Sequence, residues 1–153
     1  MLLRNDLAIH WVVQIEITDQ PKEVDLALLR AALDRFNVSR APLNEKPVAA
    51  FVKQSDELVA GIDGHTYWGW LVIHRLWVSE AMRGSGLGSA LLSAAEREAM
   101  DRGCNRAWLD TFSFQAKPFY EKHGYSQFGE LTEYPVGFAR HFLCKALGTN
   151  VPT

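Results

Sequence analysis

A glycine-rich turn between two apolar segments constrains the fold of this chain more than any other feature. The segment that ends near Val78 is rich in apolar residues, and after a short polar connection the sequence reads Arg83-Gly84-Ser85-Gly86-Leu87-Gly88. An alanine- and leucine-rich stretch follows directly and runs to Gly103, with the spacing of a helix. This order predicts a strand, a glycine turn and then a helix over residues 86–102.

The turn has the properties of a binding site for a diphosphate. Glycines at 84, 86 and 88 leave main-chain N–H groups uncovered by side chains. The first turn of a helix adds unpaired N–H groups and the positive end of the helix dipole. Arg83 adds a fixed positive charge at the rim. We therefore predict a pyrophosphate cradle, formed by Arg83, Gly84, Ser85, Gly86, Leu87, Gly88 and Ser89.

Two common nucleotide-binding loops do not fit this turn. The loop of nucleoside triphosphatases ends in Gly-Lys-Ser/Thr, whereas Gly88 is followed by Ser89 and Ala90. The dinucleotide fingerprint places its first glycine directly after the strand, whereas five residues separate Val78 from Gly84. A glycine-rich turn that caps a helix without any ligand remains the alternative.

Two segments resemble the signatures of the GCN5-related N-acetyltransferase (GNAT) superfamily. The pattern Arg83-x-x-Gly86-x-Gly88, between an apolar strand and a helix, resembles motif A of that superfamily. The segment 116–125, Ala-Lys-Pro-Phe-Tyr-Glu-Lys-His-Gly-Tyr, resembles its second signature. The resemblance covers residues 47–147 and implies a single N-acetyltransferase domain, 1–153, with acetyl-CoA as co-substrate.

Hydrophobic periodicity and turn residues predict a mixed α/β fold. The expected elements are a strand at 10–18, an amphipathic helix at 24–36, a loop at 37–47, a hairpin of 48–54 and 57–65, a strand at 67–78, the helix 86–102, a strand at 106–111, a short helix at 115–123, and strands at 125–131 and 137–147. This order implies a mixed sheet with helices on both faces. The resemblance implies the GNAT type, with a mostly antiparallel central sheet of about seven strands.

Composition limits the partners of the chain. A length of 153 residues suits one domain, and a net charge of −2 with a pI near 6.2 argues against nucleic acid. No apolar run is long enough to span a membrane, and residues 1–6 lack the apolar run that is expected of a signal peptide. Without a secretion signal, the two cysteines, Cys104 and Cys144, are expected to be reduced, which indicates a cytoplasmic protein. The histidines show no ligand-like spacing to these cysteines, so we predict no metal site.

Acetyl transfer from a thioester to an amine needs a proton acceptor, a donor to the carbonyl oxygen and a proton donor to the thiolate. Tyr120 matches the general-acid tyrosine of the family, although packing of its helix against the sheet is an alternative role. His74 is the candidate base, because one family member has a catalytic-site histidine at the same distance before its motif-A arginine. A histidine satisfied by a neighbour inside the sheet is equally compatible with the sequence, and a water chain to bulk solvent could replace a dedicated base.

The resemblance also implies further contacts with the cofactor. Main-chain groups of Leu76, Trp77 and Val78 are expected to pair with the pantetheine arm. Ser113 stands where many relatives carry an asparagine that contacts the cofactor, and its hydroxyl can still donate. Gln115 is expected to reach the adenosine or phosphate end.

The expected reaction is direct attack by a primary amine of a small molecule in a ternary complex. A protein amine as acceptor, or an acyl-CoA-binding regulatory module without turnover, are the alternatives. Tyr67, Trp68 and Trp70 could form an aromatic wall around the acceptor or could fill the core. The apolar segment 137–147 suggests a homodimer through that end, although packing within one chain explains it nearly as well.

Overall fold

The computed structural model describes residues 15–148, and the chain divides after Pro42 into two compact units. The first unit contains helix α1 (Glu23–Val38), which confirms the predicted amphipathic helix, although none of its residues is buried. The strand expected at 10–18 lies outside the described residues for 10–14, and residues 15–18 have no regular secondary structure. No helix within residues 15–148 is long and apolar enough to cross a membrane.

The second unit begins with three antiparallel strands, β1 (Lys46–Gln54), β2 (Glu57–Tyr67) and β3 (Trp70–Val78). Ser55 and Asp56 form the first turn with φ of 48° and 68°, the paired positive values of a two-residue hairpin turn. The second turn has the same character, with φ of 48° at Trp68 and 80° at Gly69. The expected strand 67–78 is therefore wrong at its start, because Tyr67 ends β2.

The remaining elements complete one six-stranded sheet. A single 3-10 turn (Glu80–Met82) leads to helix α2 (Leu87–Asp101), and β4 (Arg106–Phe112), helix α3 (Lys117–Lys122), β5 (Ser126–Thr132) and β6 (Ala139–Ala146) follow. The strand order is β1-β2-β3-β4-β6-β5, and only β3 and β4 are parallel. The mixed, mostly antiparallel fold class is thus confirmed, with six strands in residues 15–148 rather than about seven. Both helices after β3 were predicted within two residues of their observed ends.

Helices α2 and α3 contribute to one hydrophobic core on a single face of the sheet. The largest fully buried side chains belong to this core, and each contributes about 1.5–3 kcal/mol by leaving water: Ile62, Leu71, Leu92, Leu109 and Leu143. Tyr120 of α3 is buried in the same cluster. The core therefore fixes the position of α3, and of the glycine turn that opens α2, relative to the ends of β3 and β4.

Candidate active site

A gap opens between β3 and β4 because these two parallel strands pair over only four residues. Pairing joins Trp70–Ile73 to Arg106–Leu109 and then stops, although β3 continues to Val78 and β4 to Phe112. The other edge of β3 remains paired with β2 as far as Val78. Within the described residues, the edge of Leu76, Trp77 and Val78 that faces β4 therefore has no strand partner. Its main-chain groups can receive an extended ligand.

A β-bulge at His74 coincides with the start of this gap. In the pairing with β2, Ile73 lies opposite Gly64 and Arg75 lies opposite Asp63, so His74 is the extra residue. The predicted alternation, with His74 on the face of Leu76 and Val78, is wrong for this reason. Leu76 and Val78 pack against the core that contains Ile73, whereas His74 is exposed.

His74 lies on the sheet face opposite the core. Alternate residues of β2, Ala60, Ile62 and Thr66, are buried, so His65 lies on the other face. The Nε2 atom of His74 lies 3.0 Å from Nδ1 of His65, which places the two rings on the same face. His65 was not predicted as a site residue, since only the register of β2 against β3 brings the two histidines together.

The glycine turn is open, as the cradle hypothesis requires. Gly84 has φ of 77° and Gly86 has φ of 88°, a left-handed conformation that favours glycine. A Cβ atom built at either position would meet nothing within 4 Å. Gly86 is the N-cap of α2, and no side chain caps that end of the helix. The main-chain N–H groups of Leu87, Gly88 and Ser89 therefore begin the helix uncovered by side chains.

Arg83 and Ser85 hold the turn against the preceding segment. The Nε atom of Arg83 donates a hydrogen bond to the Val78 carbonyl at 3.2 Å, which ties the turn to the end of β3. The Arg83 side chain is 61% exposed, with Glu80 Oε1 3.8 Å away, so its charge still faces solvent. The Ser85 hydroxyl donates to the Met82 carbonyl at 2.5 Å.

Contacts join the start of α2 to α3, the helix that carries Tyr120. A Cβ atom at Gly88 would lie 3.5 Å from the Phe119 ring and 3.7 Å from Val78, so only a small residue fits without crowding. Ser89 Oγ lies 2.9 Å from Nε2 of His123, and Nδ1 of His123 lies 2.7 Å from the Phe119 carbonyl. A carbonyl only accepts, so Nδ1 carries a proton. This bridging role of His123 was not predicted, because residues 89 and 123 are far apart in the sequence.

Tyr120 is buried, and its phenol keeps its proton at neutral pH. Burial, with a smaller effect of the Asp110 carboxylate, raises the pKa of Tyr120 to about 12. Its hydroxyl makes no hydrogen bond to the part of the chain that the structure describes. The Asp110 carboxylate is bonded to Arg140 of β6 at 2.6 Å. The phenol is thus a proton donor without a partner among residues 15–148.

Ser113 and Gln115 make local contacts at the end of β4. The Ser113 hydroxyl accepts a hydrogen bond from the Ala139 N–H at 3.1 Å, which leaves its own proton available. Gln115 Oε1 accepts from the Phe112 N–H at 2.9 Å, so this side chain closes the turn before α3. Both residues are exposed at the β4 side of the gap.

The aromatic residues before His74 do not fill the core. Trp70 lines an open apolar groove, together with Tyr67, Trp68, Val72, Trp108, Phe128, Phe142 and Cys144. Trp68 is 44% exposed. Within residues 15–148, no group of three or more histidine, cysteine or acidic side chains could hold a metal ion. The absence of a metal site stays a prediction.

Comparisons with known proteins agree on one family. The model of the acetyltransferase (GNAT) family matches residues 12–125. Blasticidin-S acetyltransferase of Streptomyces morookaense is 41% identical over 92 residues, which are 60% of this chain and 68% of that protein. An acetyltransferase of Agrobacterium fabrum is 37% identical over 105 residues, which are 67% and 77% of the two chains. The crystal structure of an acetyltransferase from Bacillus cereus superposes with a TM-score of 0.77 at 32% identity, over 86% of this chain and 98% of that one.

Proposed function

This chain belongs to the acetyltransferase (GNAT) family and is an acyltransferase, and we propose that it transfers an acetyl group from acetyl-CoA to a primary amine of a small molecule. The observation that carries this proposal is the gap between β3 and β4, which opens beside an uncapped glycine turn. The turn fits a diphosphate, and the free edge of β3 fits an extended pantetheine arm. An aminoglycoside acetyltransferase of the same fold was crystallised with coenzyme A.

The cradle would bind the diphosphate through main-chain N–H groups of Gly84 and of positions 86–89, with Arg83 at its rim, because the Ser85 N–H already donates to the Met82 carbonyl at 3.4 Å. The empty space around the Cβ positions of Gly84 and Gly86 supports this fit, because a phosphate needs close approach to the backbone. Main-chain N–H groups of Leu76, Trp77 or Val78 would pair with the pantetheine amides. One of them would donate to the thioester oxygen as it becomes anionic.

The two proposed catalytic side chains approach the gap from opposite faces of the sheet. Tyr120 lies in the core face with α2 and α3, and His74 lies on the other face with His65. The amine nitrogen would attack the thioester carbon from the His74 side, and His74 would accept the amine proton. The carbon–sulfur bond then breaks, and Tyr120 would donate its phenolic proton to the departing thiolate. Because the pKa of Tyr120 is raised to about 12, the phenolate left behind would regain a proton from water before the next turnover.

The small-molecule acceptor is supported by the relatives rather than by a recognised subsite. One of them is named for blasticidin S, which makes this compound the first acceptor to try. The apolar groove around Trp70 and Trp108 is compatible with an aromatic wall for the acceptor. Acetylation of a protein amine, and acyl-CoA binding without turnover, are the competing functions. A homodimer stays a prediction, and since β6 is paired on both edges it cannot form through a free edge of that strand.

A direct test combines product detection with thiol release. The purified chain would be incubated with acetyl-CoA and a panel containing blasticidin S, other small primary amines and a lysine-rich peptide. We expect free coenzyme A to accumulate with one small amine, whose mass rises by that of one acetyl group. Acetylation of the peptide alone would favour a protein acceptor. Tight binding of acetyl-CoA, with no acceptor consumed and no thiol released, would favour the regulatory module.

A further inference from the structure

His65 and His74 form a hydrogen-bonded pair on neighbouring strands. Nδ1 of His65 lies 3.0 Å from Nε2 of His74, and the ring centroids are 4.8 Å apart. His65 is partly buried, and its ring also makes an edge contact with Tyr67, with centroids 6.2 Å apart. His74 is the bulged residue at the start of the gap. The contact therefore joins the proposed base to a second imidazole on the side away from β4.

This geometry restricts the protonation states of the pair. One of the two facing nitrogens must carry a proton and the other must accept it. If His74 donates through Nε2, its Nδ1 is unprotonated and can accept a proton from an amine. If His65 donates instead, the neutral His74 ring carries its proton on Nδ1 and cannot act as a base. The state of His65 thus decides whether His74 is competent.

The surroundings of His65 favour its neutral form. Burial lowers the pKa of His65; the Glu45 carboxylate opposes this effect, and His74 adds to it. The nearby charges of Asp63 and Arg75 are paired with each other at 2.6 Å. A neutral His65 is able to accept a proton through Nδ1. Glu45 precedes β1 and acts on the side of His65 away from β3.

We propose that His65 is a positioning residue that accepts the Nε2–H of His74, thereby keeping Nδ1 of His74 free for the acceptor amine. The proposal rests on the acetyl transfer described under "Proposed function". For that reaction it specifies that His74 carries its proton on Nε2, that the proton moves from His74 to His65, and that His65 takes part as a second residue. His65 acts through His74 and does not contact the amine.

The proton transfers balance without any further reactant. As the nitrogen–carbon bond forms, Nδ1 of His74 takes the amine proton and its Nε2 passes a proton to Nδ1 of His65. His65 then releases its own Nε2 proton to water or to the Glu45 carboxylate. Both rings are then neutral and carry their proton on Nδ1. Nε2 of His65 takes a proton from water, its Nδ1 proton returns to Nε2 of His74, and His74 releases its Nδ1 proton to water, which restores the starting tautomers. The pair moves one proton outward for each amide formed.

Kinetics of matched variants separate positioning from simple packing. His65→Phe keeps a ring but removes the acceptor, and we expect kcat to fall roughly tenfold, a part of the effect of a general base, with the KM for acetyl-CoA unchanged. His65→Asn restores an acceptor oxygen near the Nδ1 position and should regain most of the lost kcat. In a His74→Ala background, His65→Phe should have no further effect. Equal losses in both backgrounds, or an asparagine variant no better than phenylalanine, would overturn the proposal.

The tautomers can also be measured without any turnover. Long-range nitrogen–proton NMR spectra of the wild-type chain at about pH 8, above the ordinary histidine pKa of about 6.5, should show His74 and His65 both protonated at Nε2. A His74 ring protonated at Nδ1 would overturn the assignment. If the tautomers are as expected but no amine is acetylated, the proposed function fails while the geometry of the pair stands.

Discussion

Replacing Gly86 by alanine tests the cradle with a single methyl group. Gly86 has φ of 88° at the N-cap of α2, and a Cβ atom there meets nothing within 4 Å. The substitution therefore causes no clash within residues 15–148. Its effects on the free chain come from backbone strain alone, and its effects on binding come from the methyl group in the path of the ligand.

The stability loss follows from the left-handed conformation. Placing a residue with a Cβ atom there costs about 1–2 kcal/mol. For a chain of this length, such a loss lowers the melting temperature by roughly 2–8 °C. The chain should remain folded at room temperature, because domains of this size are usually stable by about 5–15 kcal/mol.

The loss of affinity should be larger than the strain alone predicts. A phosphate oxygen must come within about 2.7–3.2 Å of an amide nitrogen to accept its proton. The proposed cradle places the diphosphate against the open space at the Gly86 Cβ position, and a methyl group there would keep the phosphate oxygens at about 3.5 Å or more. The diphosphate must then give up or lengthen at least one hydrogen bond to a charged group, worth about 1.5–3 kcal/mol. We expect the Kd for coenzyme A to rise at least about tenfold.

Gly103→Ala provides a matched control at the other end of the same helix. Gly103 has φ of 84°, and a Cβ atom there also meets nothing within 4 Å. Its N–H donates to the Met100 carbonyl at 2.8 Å, so it terminates α2 far along the chain from the turn. The two variants should lose similar stability, while only Gly86→Ala should lose affinity.

Differential scanning calorimetry measures the loss of stability, and titration calorimetry with coenzyme A measures the loss of affinity on the same samples. Unchanged affinity in Gly86→Ala would refute the cradle. Equal losses of affinity in both variants would also refute it, because helix strain rather than the local methyl group would then be the cause.

Four further predictions address the chemistry and the sheet. Tyr120→Phe should lower kcat by at least about tenfold with acetyl-CoA affinity unchanged by titration, and a fully active variant would remove the acid role. His74→Ala should displace the acid limb of the pH–rate curve, and an unchanged limb would favour a water relay. Gly64→Ala should lower the free energy of unfolding by about 3 kcal/mol or more, because its Cβ would lie 2.0 Å from the Val72 carbonyl oxygen; a normal denaturation midpoint would contradict this register. The fold lowers the pKa of His65, so as the pH falls the unfolded chain binds a proton at this residue before the folded chain does. The free energy of unfolding should therefore decrease as the pH drops below about 6.5. In melting curves measured at several pH values, His65→Asn should reduce this dependence of stability on pH.

The features that depend on local sequence could be predicted from the sequence alone. Gly84 and Gly86 take the positive φ values that a tight, uncovered turn requires, and α2 begins directly after them. The paired polar residues Ser55 and Asp56 were correctly placed at the first hairpin. In each case the residue type determines the backbone conformation within a few positions.

The features that depend on strand register could not be predicted. A bulge adds one residue to one strand, and nothing in the residues around His74 marks where it occurs. The face of His74 and its contact with His65 depend on that bulge. The turn at Trp68 and Gly69 was missed for another reason, because tryptophan rarely adopts φ of 48° and a run of aromatic residues is typical of a continuous strand.

The short parallel pairing also has a mechanical consequence. Four residue pairs of β3 and β4 are the only strand pairing that joins β1-β2-β3 to β4-β6-β5 within the described sheet. Parallel pairing is slightly weaker per residue than antiparallel pairing, so we expect this seam to exchange its amide hydrogens before either hairpin interior. A pantetheine arm lying in the gap beyond these four pairs could bond to the free edges of both β3 and β4, and would then reinforce the seam. The bound cofactor would then occupy the gap as an additional strand does, and the two halves of the sheet would be bridged there only in the complex.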